Sequence, residues 1–146
     1  MNKEFVTYEQ AHALKELGFN ELCMAADYYS DGKILIEYAD EGITNTELDE
    51  ITAECNEDAV ENGDKLLDYD ATIPLNQQAF RWFREKHKLI AYPQWRIDNT
   101  WDITIQQLDG YGLLSGQTTL SVIKKSTYEE AESACLDKLI EICKNK

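Results

Sequence analysis

The sequence predicts an α+β fold in which an antiparallel sheet of about four or five strands packs one face against three main helices. Three observations predict it. The pattern T-Y-E-[QE]-A opens a helix at Thr7 and again at Thr127, an apolar helical stripe follows Pro74, and β-prone runs flank turn signals at Ser30-Asp31-Gly32 and Asn99-Thr100. A chain of 146 residues suits one domain, which at this size buries roughly two-thirds of the surface that its unfolded form exposes.

Thr7-Tyr8-Glu9-Gln10 is a capping box, in which the Thr hydroxyl and the Gln side chain satisfy amides that the first helical turn leaves unpaired. Tyr8, Ala11, Leu14 and Leu17 give that helix one apolar face, and Gly18 ends it. Glu21 to Tyr29 and Lys33 to Tyr38 then form a hairpin across Asp31-Gly32, with Ile34 and Ile36 on one face. A short helix is expected from Thr46 to about Asn56, touching the core through Leu48, Ile51 and Cys55, with Gly63 as a breaker. Pro74 suits the first position of the next helix, whose stripe of Leu75, Ala79, Phe80, Trp82 and Phe83 runs to about Lys86. Gln94 to Asp98 and Trp101 to Leu108 form a second hairpin, in which Trp101, Ile103 and Ile105 alternate with Asp102, Thr104 and Gln106 as a half-buried strand requires. Asp109-Gly110-Tyr111-Gly112 turns the chain into a strand over Thr118 to Lys124. The last helix starts in the box Thr127-Tyr128-Glu129-Glu130 and presents Tyr128, Ala131, Cys135, Leu139 and Ile142 on one side.

Charge is unevenly placed. Residues 39–70 hold twelve acids against the single base Lys65, so this stretch carries −11 of a total of −14. It reads as an acidic insertion whose carboxylates Glu47, Asp49, Glu50, Glu54, Glu57, Asp58 and Glu61 face water. Nucleic acid is disfavoured as a direct partner, since phosphate affinity rests on Lys and Arg releasing counterions. The expected partner is a basic protein, and the oligomeric state, homodimer included, stays open. Arg81, Arg84 and Lys88 gather the bases on one face of the helix after Pro74.

No metal site or cofactor is expected. Asn62, Gly63, Asp64, Asp68 and Asp70 crowd together without the spacing of a calcium loop, and His12 and His87 stand apart from one another. Cys23, Cys55, Cys135 and Cys143 form no C-x-x-C pair and read as free thiols, the last two as core residues. There is no Gly-rich phosphate loop, no G-x-S-x-G and no Cys/His signature, so catalysis is not expected. The alternative to a contact protein is a small-molecule site or accessory enzyme lined by Tyr92, Trp95 and Trp101. No apolar run approaches the ~20 residues that span a bilayer, and MNKEFVTYEQ lacks a signal peptide's apolar stretch, so a cytoplasmic setting away from membranes is expected.

Three stretches, FVTYEQAHALKELGF, PLNQQAFRWFREKHKL and TYEEAESACLDKLIEI, resemble a group of small acidic proteins encoded by phages, prophages and mobile elements of gut Bacteroidetes-type bacteria. The resemblance covers the predicted helices and leaves the acidic stretch outside. It implies a phage or mobile-element origin, a host-cytoplasm setting and an accessory role by protein contact, such as nucleic-acid mimicry or inhibition of a host factor. It supplies no catalytic residues.

Overall fold

The structure, a computed structural model, describes residues 3–30, 33–63, 69–109 and 114–146. The Asp31-Gly32 and Gly110-Tyr111-Gly112 turns, the residues Asp64, Lys65 and Asp68, and the side chains of Ile34 and Ile36 lie outside the described residues. The fold is α+β, and the chain forms two compact units, Thr7–Pro74 and Met1–Val6 with Leu75–Lys146. Each unit carries its own three-stranded antiparallel sheet, so the single sheet of four or five strands expected from sequence is corrected to two. Strands adjacent in sequence pair locally, and a short strand hidden in the acidic stretch completes the first sheet.

The Thr7–Pro74 unit runs α1 (Tyr8–Glu16), β1 (Cys23–Ser30), β2 (Lys33–Ile43), α2 (Asn45–Asn62) and β3 (Tyr69–Thr72). Both halves of the α1 box form: Thr7 Oγ1 accepts from Gln10 N at 3.2 Å, and Gln10 Oε1 accepts from Thr7 N at 3.0 Å. β1 is central, with β2 and β3 antiparallel on either side, so α2 carries the chain from one sheet edge to the other. α2 is longer than expected at both ends. It starts one residue earlier because Thr44-Asn45-Thr46-Glu47 is a further capping box, with Thr44 Oγ1 accepting from Glu47 N at 3.2 Å and Glu47 Oε2 accepting from Thr44 N at 2.9 Å. It ends at Gly63, whose positive φ of 72° suits glycine at a helix C-terminus. Asn45 is buried at the start of α2, where its Nδ2 donates to Phe19 O at 2.7 Å and its Oδ1 accepts from Thr72 N at 2.9 Å. Leu48 and Ala59 join Leu14, Phe19, Ala71 and Ile73 in this unit's core, while Ile51 is exposed.

The second unit runs α3 (Asn76–His87), β4 (Leu89–Trp95), β5 (Trp101–Leu108), β6 (Leu114–Lys125) and α4 (Tyr128–Lys144), with strand order β4-β5-β6. α4 packs on all three strands, and α3 packs on α4 and β4. Ala79, Trp82 and Phe83 meet Ala131, Cys135, Leu136, Leu139 and Ile140 in its core, with Leu89, Ala91, Ile103 and Ile105 beneath. Pro74 is not the first helical residue. Leu75 stays extended in a bridge with Phe5, and α3 begins after it, where Asn76 N donates to Glu4 O at 2.8 Å and Asn76 Nδ2 to Lys3 O at 2.9 Å. Lys88 does not share a helical face with Arg81 and Arg84, because it takes the left-handed conformation (φ 56°) that ends α3.

β4 precedes the expected span, Gln94 to Asp98. Pro93 fits because β4 is an edge strand with no ladder bond to lose on its open side. The turn covers residues 96–100, closed by Arg96 N to Thr100 O at 2.9 Å with Asn99 at φ 59°. β5 is also not half-exposed: Asp102 and Thr104 are as buried as Ile103 and Ile105. Thr104 Oγ1 donates to Gln94 Oε1 at 2.7 Å, and Arg96 pairs with Asp102 Oδ2, leaving Asp102 Oδ1 without a hydrogen bond among the described residues.

Two stability measurements follow from these contacts. Thr44→Ala should cost about 1 kcal/mol in urea denaturation, the usual loss for an N-cap, with the helix still formed by circular dichroism. Arg96→Ala should lower the melting temperature more than Asp102→Asn does, and adding Asp102→Asn to Arg96→Ala should restore part of the loss. Simple additivity of the two changes would show that the ion pair carries no coupling.

Candidate functional site

The seven acidic residues expected to face water all lie on α2, and all are exposed. At 3.6 residues per turn, Glu47, Glu50, Glu54, Glu57, Asp58 and Glu61 fall within an arc of about 100° and extend along about 21 Å of axis. Asn45, Leu48 and Ala59, which α2 buries, lie on the opposite side, so the stripe points away from the core of its own unit. Asp49 stands off the stripe and is neutralised by Lys15, whose Nζ lies 2.5 Å from its Oδ1 and donates to Asp70 O at 2.6 Å. Among the described residues, Glu50, Glu54, Glu57, Asp58 and Glu61 form no ion pair, and no basic residue stands in the last turn of α2.

The electrostatics of such a stripe are self-opposing. Glu50 with Glu54, Glu54 with Asp58, and Glu57 with Glu61 are like-charge pairs four residues apart, each costing a few tenths of a kcal/mol. Three of the six carboxylates also sit near the helix C-terminus, where the backbone dipole is already negative. The arrangement does nothing for helix stability. What it can do chemically is present a row of acceptors to a cationic surface.

A second cluster, which the sequence did not single out, lies within the same unit. Asp27 is fully buried on β1, and its Oδ1 accepts from Ala71 N at 2.7 Å, beside the irregularity between Ala26 and Tyr28 in the β1–β3 register. Its Oδ2 lies 3.2 Å from His12 Nε2, which is also 3.5 Å from Asp70 Oδ2. Tyr8 closes the network, donating its hydroxyl to Asp70 Oδ2 at 2.9 Å with its ring 4.3 Å from that of His12. Burial raises the Asp27 pKa above its ordinary 3.8, against the lowering effects of the Ala71 amide and His12. The cluster holds no thiol or free hydroxyl to attack a substrate. It ties α1 to β1 and β3.

The aromatics expected to line a pocket are not gathered into one cavity. Trp95 stacks edge-on against Trp101 at 4.9 Å, and Trp101 against Tyr128 at 5.3 Å. Tyr92 alternates to the other face of β4, where its hydroxyl accepts from Gln106 Nε2 at 3.2 Å. All four cysteines are free, and burial pushes the Cys135 thiol up to about 12, which keeps it protonated and unreactive. No helix among the described residues is long and apolar enough to cross a membrane.

Because the folded state holds the Asp27 proton more tightly than the unfolded state, it binds more protons between pH 3.8 and the raised native value, and stability must fall as pH rises through that window. Asp27→Asn removes this dependence while keeping an acceptor for Ala71 N. Urea denaturation from about pH 3.5 to pH 7 should therefore show the variant gaining on wild type as pH rises. A constant difference would mean that Asp27 is charged at no extra cost in the fold.

Comparison of the chain with family models, with curated proteins and with solved structures finds no match.

Proposed function

We propose that this chain acts by contact rather than by chemistry, with the acidic stripe of α2 docking on a basic surface of a host or phage protein. The observation that carries the reading is a helix that keeps six carboxylates on one exposed arc, five of them without an ion pair among the described residues, at a cost to its own stability. Features held against stability are the ones to examine for function.

The stripe also has the charge density of a nucleic-acid strand. Six charges over about 21 Å of helix is one per roughly 4 Å, against 3.4 Å per phosphate along one strand of B-DNA. A protein built to bind phosphates would meet a comparable row of anions on a rigid rod, so the preferred form of the reading is mimicry that occupies a nucleic-acid-binding surface. The resemblance of the three other helices to phage and mobile-element proteins supports an accessory role of this kind in the host cytoplasm.

The test is a capture experiment with the full chain and a variant carrying Glu50→Gln, Glu54→Gln, Glu57→Gln, Asp58→Asn and Glu61→Gln. Wild type should retain a basic partner at about 0.1 M salt and release it at about 1 M, where the screening length shrinks from about 10 Å to about 3 Å. Excess duplex DNA should compete for the same partner. The variant should capture nothing while melting at a higher temperature than wild type. Equal retention by the variant, or no partner at either salt, overturns the reading.

A further inference from the structure

Each three-stranded sheet has two outer strands, and an outer strand can accept a further strand unless something blunts its open side. Among the described strands, three of the four outer ones are blunted. β3 is only four residues long. β2 includes Lys33, Glu37, Asp40 and Glu41, charges of the kind that keep edges apart. β4 includes Pro93, which has no N–H to offer a partner.

β6 lacks all three devices. It is twelve residues long and holds no proline, and residues 114–123, LSGQTTLSVI, hold no charge; the bases Lys124 and Lys125 stand at its end. Its register against β5 shifts between Trp101 and Ile103 and again between Gln107 and Leu108. Between these shifts, residues 116–120 pair regularly with β5, which makes them the even stretch of the strand. Among the described elements β6 packs on β5 and α4. Alternate residues of 116–120 therefore turn their N–H and C=O groups to the open side of the sheet.

The complement of such an edge is another extended segment, and the sequence favours the same segment of a second copy. Two copies paired antiparallel about a two-fold axis at Thr118 set Thr118 against Thr118, Gln117 against Thr119 and Gly116 against Leu120. No charge is brought to the axis, and the central Thr pair is of the kind that stabilises cross-strand contacts. Lys124 and Lys125 of the two copies go to opposite ends, so these like charges do not meet. The compact unit that holds β6, Met1–Val6 with Leu75–Lys146, has eleven bases and ten acids, whereas Thr7–Pro74 has three bases and eighteen acids. β6 thus belongs to the nearly neutral part of the chain, which two copies can bring together with little charge opposition. We infer that the chain forms a symmetric dimer through β6, joining two three-stranded sheets into one of six strands. Such a dimer displays two α2 stripes, and a partner with two basic surfaces would bind it with an avidity that the monomer lacks. The inference does not rest on what the stripe binds.

The test is sedimentation equilibrium of the full chain. The average mass should rise from 16.8 kDa toward twice that value between about 1 μM and about 1 mM, the span suited to a small interface of strand hydrogen bonds. Raising salt from about 0.1 M to about 1 M should hold or tighten the dimer, because it screens repulsion between the acidic units, whereas contacts made by the stripe loosen there. Hydrogen exchange should show protection that grows with concentration at alternate amides of residues 116–120. Thr118→Pro and Thr119→Pro separate the two sides of the strand. One removes an N–H bonded to β5 and lowers the melting temperature in dilute solution; the other removes an outward N–H and leaves it close to wild type. The latter variant should dimerise at least about tenfold more weakly. A mass that stays at 16.8 kDa up to about 1 mM overturns the inference. So does association that dissolves at about 1 M salt, or a dimer that both proline variants retain.

Discussion

The direction in which α2 faces depends on one buried side chain, Asn45. Its amide joins the carbonyl of Phe19, just beyond α1, to the main-chain amide of Thr72 on β3, so three segments distant in sequence meet at the first residue of the helix. Both polar ends are satisfied inside the core, where either one left alone would carry the full cost of desolvation. With that end fixed and Leu48 buried one turn later, the rotation of the helix about its axis is set. Every third or fourth residue from Glu47 onward then has to look outward.

The same economy explains the other buried polar groups in that unit. β1 and β3 pair with a shift of register between Ala26 and Tyr28, and beside it the amide of Ala71 bonds to a side chain. Asp27 supplies that acceptor, and its second oxygen faces His12, which also faces the Asp70 carboxylate that Tyr8 donates to. The carboxylate is a substitute for a missing ladder carbonyl, which accounts for its place in the core.

Much of this architecture was legible in the residues, and the failures have physical causes. The box at Thr7 was readable because a hydroxyl and an amide three residues apart have few other local uses, and at Thr127 only half of the expected box forms: Thr127 Oγ1 accepts from Glu130 N, while Glu130 Oε2 accepts from Ser126 N and Oγ. The box at Thr44 is written just as plainly, but it opens a helix so acidic that its apolar positions, Leu48 and Ala59, are too sparse to mark a face. β3 was missed because four residues, Tyr69-Asp70-Ala71-Thr72, show no alternation, and their strand character comes entirely from pairing with β1. Asp102 and Thr104 looked like the wet side of a strand; Arg96 from the adjoining turn pairs with one oxygen of Asp102, and Gln94 from β4 accepts from Thr104. Glu132 could have been found, since an acid among Tyr128, Ala131 and Cys135 breaks the apolar face of α4. Its hydrogen bond with Asn76, 56 residues earlier in the chain, could not.

The two ends of α2 differ in a way that links fold to proposed use. Its first turn has a complete capping box, the buried Asn45 and Leu48; its last two turns bury only Ala59 and end on Gly63 with acids where bases would steady the dipole. Anchoring is therefore concentrated at one end and uncompensated negative charge at the other. A basic partner docked on the stripe would supply the cations that this C-terminus lacks, so the charge that attracts the partner is the same charge whose neutralisation stabilises the helix. Binding energy and helix stability are then linked quantities, and a partner that grips Glu57, Asp58 and Glu61 gains from the helix the strain that the free protein carries there.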